Sequence, residues 1–131
     1  MPQIFLMLSP QAQSKLGNTP DRAWGMLERL DRALSHLVIT EWDVPKEDVA
    51  CSAANLLYAR GEADIQIEFR YTAGDDEYGT GKAFEPTKEQ RGKLVDAALK
   101  AAKELFQKYD YNLTCSAWPK PYKDSEFKMG T

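Results

Sequence analysis

Two segments with the apolar spacing of a helix, each lying between two strand-like segments, constrain the fold of this chain more than any other feature. In the first segment, apolar residues recur three and four positions apart over about residues 20–37. In the second, Thr87 and Gln90 form a capping box, and an Ala-rich apolar stripe follows to Phe106. The chain of 131 residues therefore runs strand, helix, strand twice within the length of one domain.

Four segments have the composition or the alternation of β-strands. Residues 3–8 (QIFLML) are almost entirely apolar, which predicts a central strand buried on both faces. Residues 49–58 and 111–118 are further strand candidates, and residues 9–18 between the first strand and the first helix are predicted to be a polar connection. Residues 63–71 alternate cleanly and place Ile65, Ile67, Phe69 and Tyr71 on one face and Asp64, Gln66, Glu68 and Arg70 on the other.

This order predicts a single domain over residues 1–131, made of two tandem βαβ units with halves of about 1–60 and 61–131. A strand–helix–strand crossover makes the two strands of each half parallel and right-handed. The short link near Gly61 leaves open whether the second and third strands are neighbours or whether the halves meet through their first strands.

Composition and charge exclude several classes of protein. The net charge of −3 predicts no nucleic-acid partner, and no apolar run approaches the roughly 20 residues of a membrane span. The N-terminus has neither the basic start nor the long apolar stretch of a signal peptide, so we expect a cytoplasmic protein with reduced Cys51 and Cys115. No zinc pattern or glycine-rich phosphate loop occurs, so no metal and no cofactor are expected. The lone His36 suits the C-terminal end of the first helix.

The Met-Pro start that runs directly into a strand (MPQIFLML) resembles the tautomerase superfamily, which includes macrophage migration inhibitory factor-like proteins and 5-carboxymethyl-2-hydroxymuconate isomerase. The second half, ADIQIEFRY followed by a glycine-bearing loop and TKEQRGKLVDAALKAAKELF, carries the same resemblance. The resemblance implies an α+β fold in which two tandem βαβ units form a four-stranded mixed sheet with two helices on one face. It also implies a homotrimer, with the second and fourth strands at the sheet edges, so that Cys51 and Cys115 are too far apart to be bonded.

The resemblance implies that Pro2 is the catalytic base. Once Met1 is removed, Pro2 carries a secondary amine, and burial lowers the pKa of such a group because desolvation penalises its charge. In the superfamily this proline moves a proton on a small unsaturated 2-keto or enol acid. With Met1 retained, the nitrogen of Pro2 is a tertiary amide, and Pro2 serves only as a rigid strand start.

A small anionic substrate needs cations beside the base. Arg70, just before the glycine-bearing loop, is the best match to the family's basic residues, and Arg60 is another candidate. Glu68 faces the same side as Arg70, and it positions a water or polarises the substrate, or else pairs with Arg70. Tyr71 and Trp118 are candidate pocket walls, with core or interface packing as the alternative. Pro2, Arg70 and Glu68 are expected around one pocket near a subunit boundary, with the loop at residues 73–86 at its rim.

Three functions remain open at this point. The leading one is a cofactor-free tautomerase or isomerase with Pro2 as its base. The others are a non-enzymatic oligomeric binding module of the same fold and a hydratase or dehalogenase in which Glu68 activates water. The segments EWDVP and GDDEYG lack the basic residues that the named family members carry in those regions, so substrate identity does not carry over.

Overall fold

The computed structural model describes residues 2–17, 20–59, 61–72 and 85–122. The elements, in chain order, are β1 (Gln3–Leu8), α1 (Pro10–Leu16), α2 (Pro20–Trp42), a short 3-10 turn (Lys46–Asp48), β2 (Ala50–Asn55), β3 (Ile65–Thr72), α3 (Lys88–Lys108) and β4 (Cys115–Tyr122).

The strands form one four-stranded mixed sheet in the order β2-β1-β3-β4. β1 is parallel to β2 and antiparallel to β3, and β3 is parallel to β4. The halves therefore meet through their first strands, which settles the alternative that the short link left open. Cys51 on β2 and Cys115 on β4 lie on opposite edges of the sheet, and both are free thiols.

α2 and α3 cover the same face of this sheet, as predicted. Trp42 at the end of α2 donates through Nε1 to the carbonyl of Gln90 in the first turn of α3, at 3.2 Å, so the two helices run antiparallel. The core between the helices and the sheet consists of apolar side chains, and its largest contributors are Ile4, Leu6, Leu8, Met26, Leu30, Leu34, Trp42, Ile65, Ile67, Phe69 and Leu94. The helices in the described segments include none that is long and apolar enough to cross a membrane.

α2 is longer than the periodicity over residues 20–37 predicted. The stripe continues at four-residue spacing through Leu34, Val38 and Trp42, all buried, and the helix ends where Asp43 adopts a φ of 50°. His36 consequently lies well inside the helix and is exposed. Its expected position at the C-terminal end of the helix dipole is therefore wrong.

Residues 9–18, predicted to be a polar connection, contain the helix α1. Ser9 caps this helix by accepting a hydrogen bond from the backbone N–H of Ala12 at 3.1 Å, and Pro10 suits the first helical position. Ala12 and Leu16, four residues apart, bury the inner side of the helix. The polar composition of the segment concealed this short apolar pair.

The last strand begins four residues later than residues 111–118 predicted and runs on through Pro119 and Pro121. A proline cannot donate to a strand ladder, and β4 tolerates two of them because it is an edge strand paired only with β3. Tyr111 instead packs against Phe106 at the end of α3, with ring centroids 6.5 Å apart.

Candidate functional site

The start of β1 and the end of β3 meet at one end of the sheet. Gln3 pairs with Arg70 in the antiparallel register, so Pro2 lies beside the end of β3. Pro2 is buried, and its carbonyl accepts a hydrogen bond from the backbone N–H of Ala50 at 3.3 Å. The sheet topology therefore places Pro2 between the beginning of β2 and the end of β3.

Four side chains on the sheet face opposite the helices form what we call the open-face cluster: Phe5, Glu68, Arg70 and Tyr122. Nε of Arg70 donates to Oε1 of Glu68 at 2.8 Å, and the hydroxyl of Tyr122 donates to the same oxygen at 3.0 Å. The guanidinium carbon of Arg70 lies 4.1 Å from the ring centroid of Phe5 and 5.4 Å from that of Tyr122. Stacking and ion pairing together hold the guanidinium in one orientation.

The open-face cluster is partly shielded from water. The side chain of Glu68 is 10% exposed and that of Arg70 is 27% exposed, so their charges interact more strongly than those of a surface pair. Burial, together with the hydrogen bond to Glu68 and the charge of that carboxylate, raises the pKa of the Tyr122 phenol, which therefore remains a donor. Among the described residues, Arg70 uses only Nε for a hydrogen bond. The two terminal nitrogens of a guanidinium can donate two parallel hydrogen bonds to a planar carboxylate.

The structure brings four of the predicted site residues to the same region. Glu68 and Arg70 form the ion pair, Pro2 lies at the adjacent strand end, and Trp118 pairs with Glu68 in the register of β3 and β4. Trp118 is half-buried and shares the open face with Glu68, because paired residues of neighbouring strands point to the same side.

Tyr71 does not join this cluster. It points to the helix face, is 5% exposed, and packs edge-on against Trp42 with ring centroids 5.8 Å apart. The guanidinium carbon of Arg91 lies 6.0 Å from the centre of its ring. Arg60 lies outside the described residues, as does most of the loop at residues 73–86.

Sequence reasoning did not place Phe5 or Tyr122 in the site. Phe5 belongs to an apolar run in which no residue stands out, and Tyr122 follows two prolines that argued against a strand. The signal for Tyr122 was the two-residue spacing from Trp118 through Lys120, which assigns all three residues to one face of an extended segment. Within the described segments, no group of three or more His, Cys, Asp and Glu residues is arranged to hold a metal ion.

No family model matches this sequence, and no curated protein matches it. Solved structures match it over almost its whole length. A fused 4-OT described as a symmetric trimer has a TM-score of 0.59 at 13% identity, over 98% of this chain and 91% of that chain.

Two further matches carry different activities in their names. A malonate semialdehyde decarboxylase has a TM-score of 0.55 at 10% identity, over 98% of this chain and 91% of that chain. Macrophage migration inhibitory factor of Toxoplasma gondii has a TM-score of 0.54 at 14% identity, over 98% of this chain and 96% of that chain. The sheet order, the two helices on one face and these matches together show that the chain has the tautomerase superfamily fold.

Proposed function

We propose that this protein is a cofactor-free tautomerase or isomerase that moves a proton on a small unsaturated 2-keto or enol acid, with the amine of Pro2 as the base. The observation that carries the proposal is the pairing of Gln3 with Arg70, which sets Pro2 and a guanidinium on adjacent strand ends. A base and an anion clamp on adjacent strand ends are what a proton shuttle on a small acid requires.

The base in this proposal is the secondary amine that Pro2 carries once Met1 is removed. Pro2 is buried, and desolvation favours the neutral form of an amine, which is the form that a general base requires. The amine takes a proton from the carbon beside the substrate carbonyl, and the electron pair of that C–H bond moves to the carbonyl oxygen as an enolate. The proton then adds to the conjugated enolate at the carbon one or three positions from the carbonyl carbon, and the carbonyl re-forms.

Arg70 is the proposed anion clamp. Its Nε is held by Glu68 and its face by Phe5, so the terminal nitrogens are oriented before substrate arrives. Two N–H donors directed at a carboxylate or an enolate oxygen stabilise the charge that develops in the transition state. Trp118, half-buried next to Glu68 on β4, is the proposed apolar wall of the pocket.

We also propose that the chain assembles as a homotrimer with this site near a subunit boundary. The open face of the sheet carries the half-exposed Phe5 and Met7, and beyond β2 the side chains of Leu57 and Tyr58 are largely in water. Exposed apolar surface of this kind favours association. Two of the matched fused 4-OT structures are described as trimers.

Light scattering at micromolar concentration tests the proposed trimer. The measured mass is expected to be three times the chain mass of 14.8 kDa, and the mass of a monomer would refute the assembly.

The proposed base is tested with protein whose N-terminus is confirmed by mass spectrometry to be a free Pro2. Conversion of phenylpyruvate between its enol and keto forms is expected to follow the deprotonation of one amine as pH rises. Replacing Pro2→Ala, or retaining Met1, is expected to lower the rate about 100-fold, a typical contribution of a positioned general base. Activity that survives with Met1 in place would overturn the assignment.

A covalent probe locates the amine independently of turnover. One matched structure is that of Pt0534 inactivated by 2-oxo-3-pentynoate. With this chain, a neutral Pro2 amine is expected to add to the alkyne of the same compound, forming one N–C bond while a proton goes to the neighbouring carbon. The adduct then has the summed mass of protein and probe and maps to the N-terminal peptide. An adduct on another residue, or none, argues against a nucleophilic Pro2.

The second candidate function is addition of water through Glu68. Within the described residues, the hydrogen bonds that Glu68 accepts all go to Oε1, which leaves Oε2 available to a water. The matched malonate semialdehyde decarboxylase is described as having both decarboxylase and hydratase activities. Glu68→Gln is expected to abolish hydration and spare enol–keto conversion if both reactions occur here. If neither reaction is found, the non-enzymatic oligomeric module is the remaining function.

A further inference from the structure

The outer groove between α2 and α3, which we call the helix groove, concentrates positive charge on a chain whose net charge is −3. It has a volume of about 550 Å³ and lies on the side of the helices turned away from the sheet. Its polar and aromatic lining consists of Arg29, Arg32, His36, Glu104, Lys108 and Tyr109.

Two tyrosine rings hold the cations at one end of the groove. The guanidinium carbon of Arg29 lies 4.1 Å from the ring centroid of Tyr109, and its Nη1 donates to the hydroxyl of Tyr111 at 3.3 Å. Nζ of Lys108 lies 5.5 Å from the same Tyr109 ring, and the guanidinium carbon of Arg22 lies 5.4 Å from the Tyr111 ring. Across the described part of the chain, none of these three cations has a carboxylate within 4.0 Å.

Interaction with the helix dipole explains only part of this arrangement. Lys108 lies in the last turn of α3, where a cation complements the negative end of the dipole. Arg29, Arg32 and His36 belong to the middle of α2 and follow one another along a single face of that helix. At 1.5 Å per residue, this row extends over about 10 Å.

The acids near the row do not neutralise it. Glu28 pairs with Arg32 at 2.8 Å, but both side chains are more than half exposed, and exposed pairs of this kind contribute little and exchange readily. Glu104 is the acid that lines the groove itself. Arg29, Arg32 and Lys108 together therefore leave an excess of positive charge for an incoming ligand.

We propose that the helix groove binds a small anion with two or more adjacent phosphate groups, at a site separate from Pro2 and the open-face cluster. The cations of Arg29, Arg32 and Lys108 lie on two helices, and several separate charges match charges spread along a ligand better than a single point charge does. Guanidinium groups bind phosphate oxygens through paired donors, and the stacking of Arg29 on Tyr109 reduces the entropy lost when those donors engage.

Titration calorimetry with inorganic pyrophosphate on the full chain at low ionic strength tests the site. Pyrophosphate is expected to bind about tenfold more tightly than orthophosphate or sulfate, because only pyrophosphate engages two parts of the row. The double variant Arg29→Gln/Lys108→Gln is expected to lose about tenfold in affinity, whereas Lys93→Gln retains it. Lys93 is the matched control, since it is an exposed α3 lysine outside the groove that pairs with Glu89 at 3.2 Å.

Either of two results would overturn the proposal: no pyrophosphate binding by the wild type, or an equal loss in Lys93→Gln and the double variant, which would indicate attraction by overall charge. Circular dichroism checks that the double variant is folded. If the double variant is not folded, the single variant Arg32→Gln takes its place, because the exposed pair of Arg32 with Glu28 contributes little to folding. Arg32→Gln is expected to lose about threefold in affinity for pyrophosphate. A parallel titration with ADP tests whether the ligand is a free diphosphate or a nucleotide. If ADP binds as tightly as pyrophosphate, the groove recognises the diphosphate alone. If ADP binds more tightly, the groove also recognises the nucleoside.

Discussion

The two faces of β3 are almost equally buried and differ in what buries them. Ile67 and Phe69 on the helix face are 0% and 1% exposed and contact apolar side chains of the core. Gln66 and Glu68 on the open face are 9% and 8% exposed, and Glu68 is held by hydrogen bonds from Arg70 and Tyr122. Burial alone therefore does not separate core from site in this strand; the chemistry of the partners does.

The two faces therefore contribute differently to folding stability. Apolar burial on the helix face contributes folding free energy roughly in proportion to area. On the open face, the desolvation of Glu68 and Arg70 is largely offset by their hydrogen bonds, so the net contribution to folding is small. What the open face gains is a guanidinium held in a fixed orientation beside the start of β1.

The largest expected effect is a loss of folding stability when a phenylalanine on the helix face is truncated to alanine. Phe69→Ala removes a ring that is 1% exposed and packs edge-on against Trp42, and we expect a loss of about 3–5 kcal/mol in the free energy of unfolding. The matched variant Phe5→Ala removes a half-exposed ring on the open face, and we expect it to cost about 1–2 kcal/mol. Urea unfolding measures both. Equal losses would show that the open face is packed as tightly as the core.

The next largest effect separates activity from stability on the open face, and it depends on the proposed function. Arg70→Gln is expected to lower kcat/KM about 100-fold, as loss of a positioned donor to a developing anion does. The free energy of unfolding is expected to fall by only about 1 kcal/mol, because the pair with Glu68 is partly open to solvent. Lys120→Gln removes a cation paired in register with Arg70 and serves as the control. An equal loss of activity in Lys120→Gln would show that the effect of Arg70→Gln is not specific to Arg70.

The carboxylate of Asp64, just before β3, is buried like that of Glu68 but has different partners. Asp64, 4% exposed, accepts from Nζ of Lys15 at 2.8 Å and from the backbone N–H of Thr114 at 2.9 Å. Burial alone would raise the pKa of Asp64, but the bonds from Lys15 and Thr114 outweigh it and hold the pKa below 3.8. These contacts connect α1 with the segment that leads into β4, far from Pro2, and give Asp64 a structural role.

The lowered pKa of Asp64 fixes the sign of a pH effect. A carboxyl whose pKa is lower in the folded chain stabilises it above the unfolded pKa near 4, and this contribution is lost as pH falls through the folded pKa. Asp64→Asn is expected to cost about 1–3 kcal/mol at pH 7, and the difference from wild type is expected to shrink as pH falls below about 4. Urea unfolding at pH 7 and pH 3 measures it. A constant difference would mean that the charge of Asp64 contributes nothing.

The sequence predicted best those elements in which a regular pattern of residues extends along the whole element. The stripe of α2, the capping box of α3 and the alternation around Ile67 each repeat the same environment several times, so local rules agree with the tertiary structure. The helix α1 was missed because it spans only seven residues, too few for periodicity to appear. The continuation of β4 through Pro119 and Pro121 was missed because only its position as an edge strand, paired with β3 alone, makes its prolines acceptable.

Local alternation predicted the candidate site only along β3, whereas Pro2 was predicted from the family resemblance and Trp118 as a candidate pocket wall. Alternation alone assigned Glu68 and Arg70 to one face and Tyr71 to the other, as the structure has them. The contribution of Tyr122 comes from β4, more than fifty positions away in sequence, and no local pattern indicates which strand lies beside β3. The stacking of Arg70 on Phe5 depends on the antiparallel register of β1 in the same way.

The two-face comparison extends to the edge strand β2, where the expected effect is on thiol reactivity. Cys51 points to the helix face, and its thiol pKa is raised to about 12 from the ordinary 9.0 by burial and by the charge and hydrogen bond of Asp31 on α2.

Only the thiolate form of cysteine reacts with iodoacetamide. At pH 8 we therefore expect Cys51 of the native chain to react about 100- to 1,000-fold more slowly than Cys51 of the chain unfolded in urea, measured in a Cys115→Ala background. Asp31→Asn is expected to speed the native reaction severalfold, since it removes a negative charge that disfavours the thiolate. Glu28 lines the same pocket as Asp31 and Cys51, and Glu28→Gln is expected to leave the rate unchanged because Glu28 pairs with Arg32. Similar rates in the native and unfolded chains would mean that β2 opens from α2 and that its inner face is not part of the closed core.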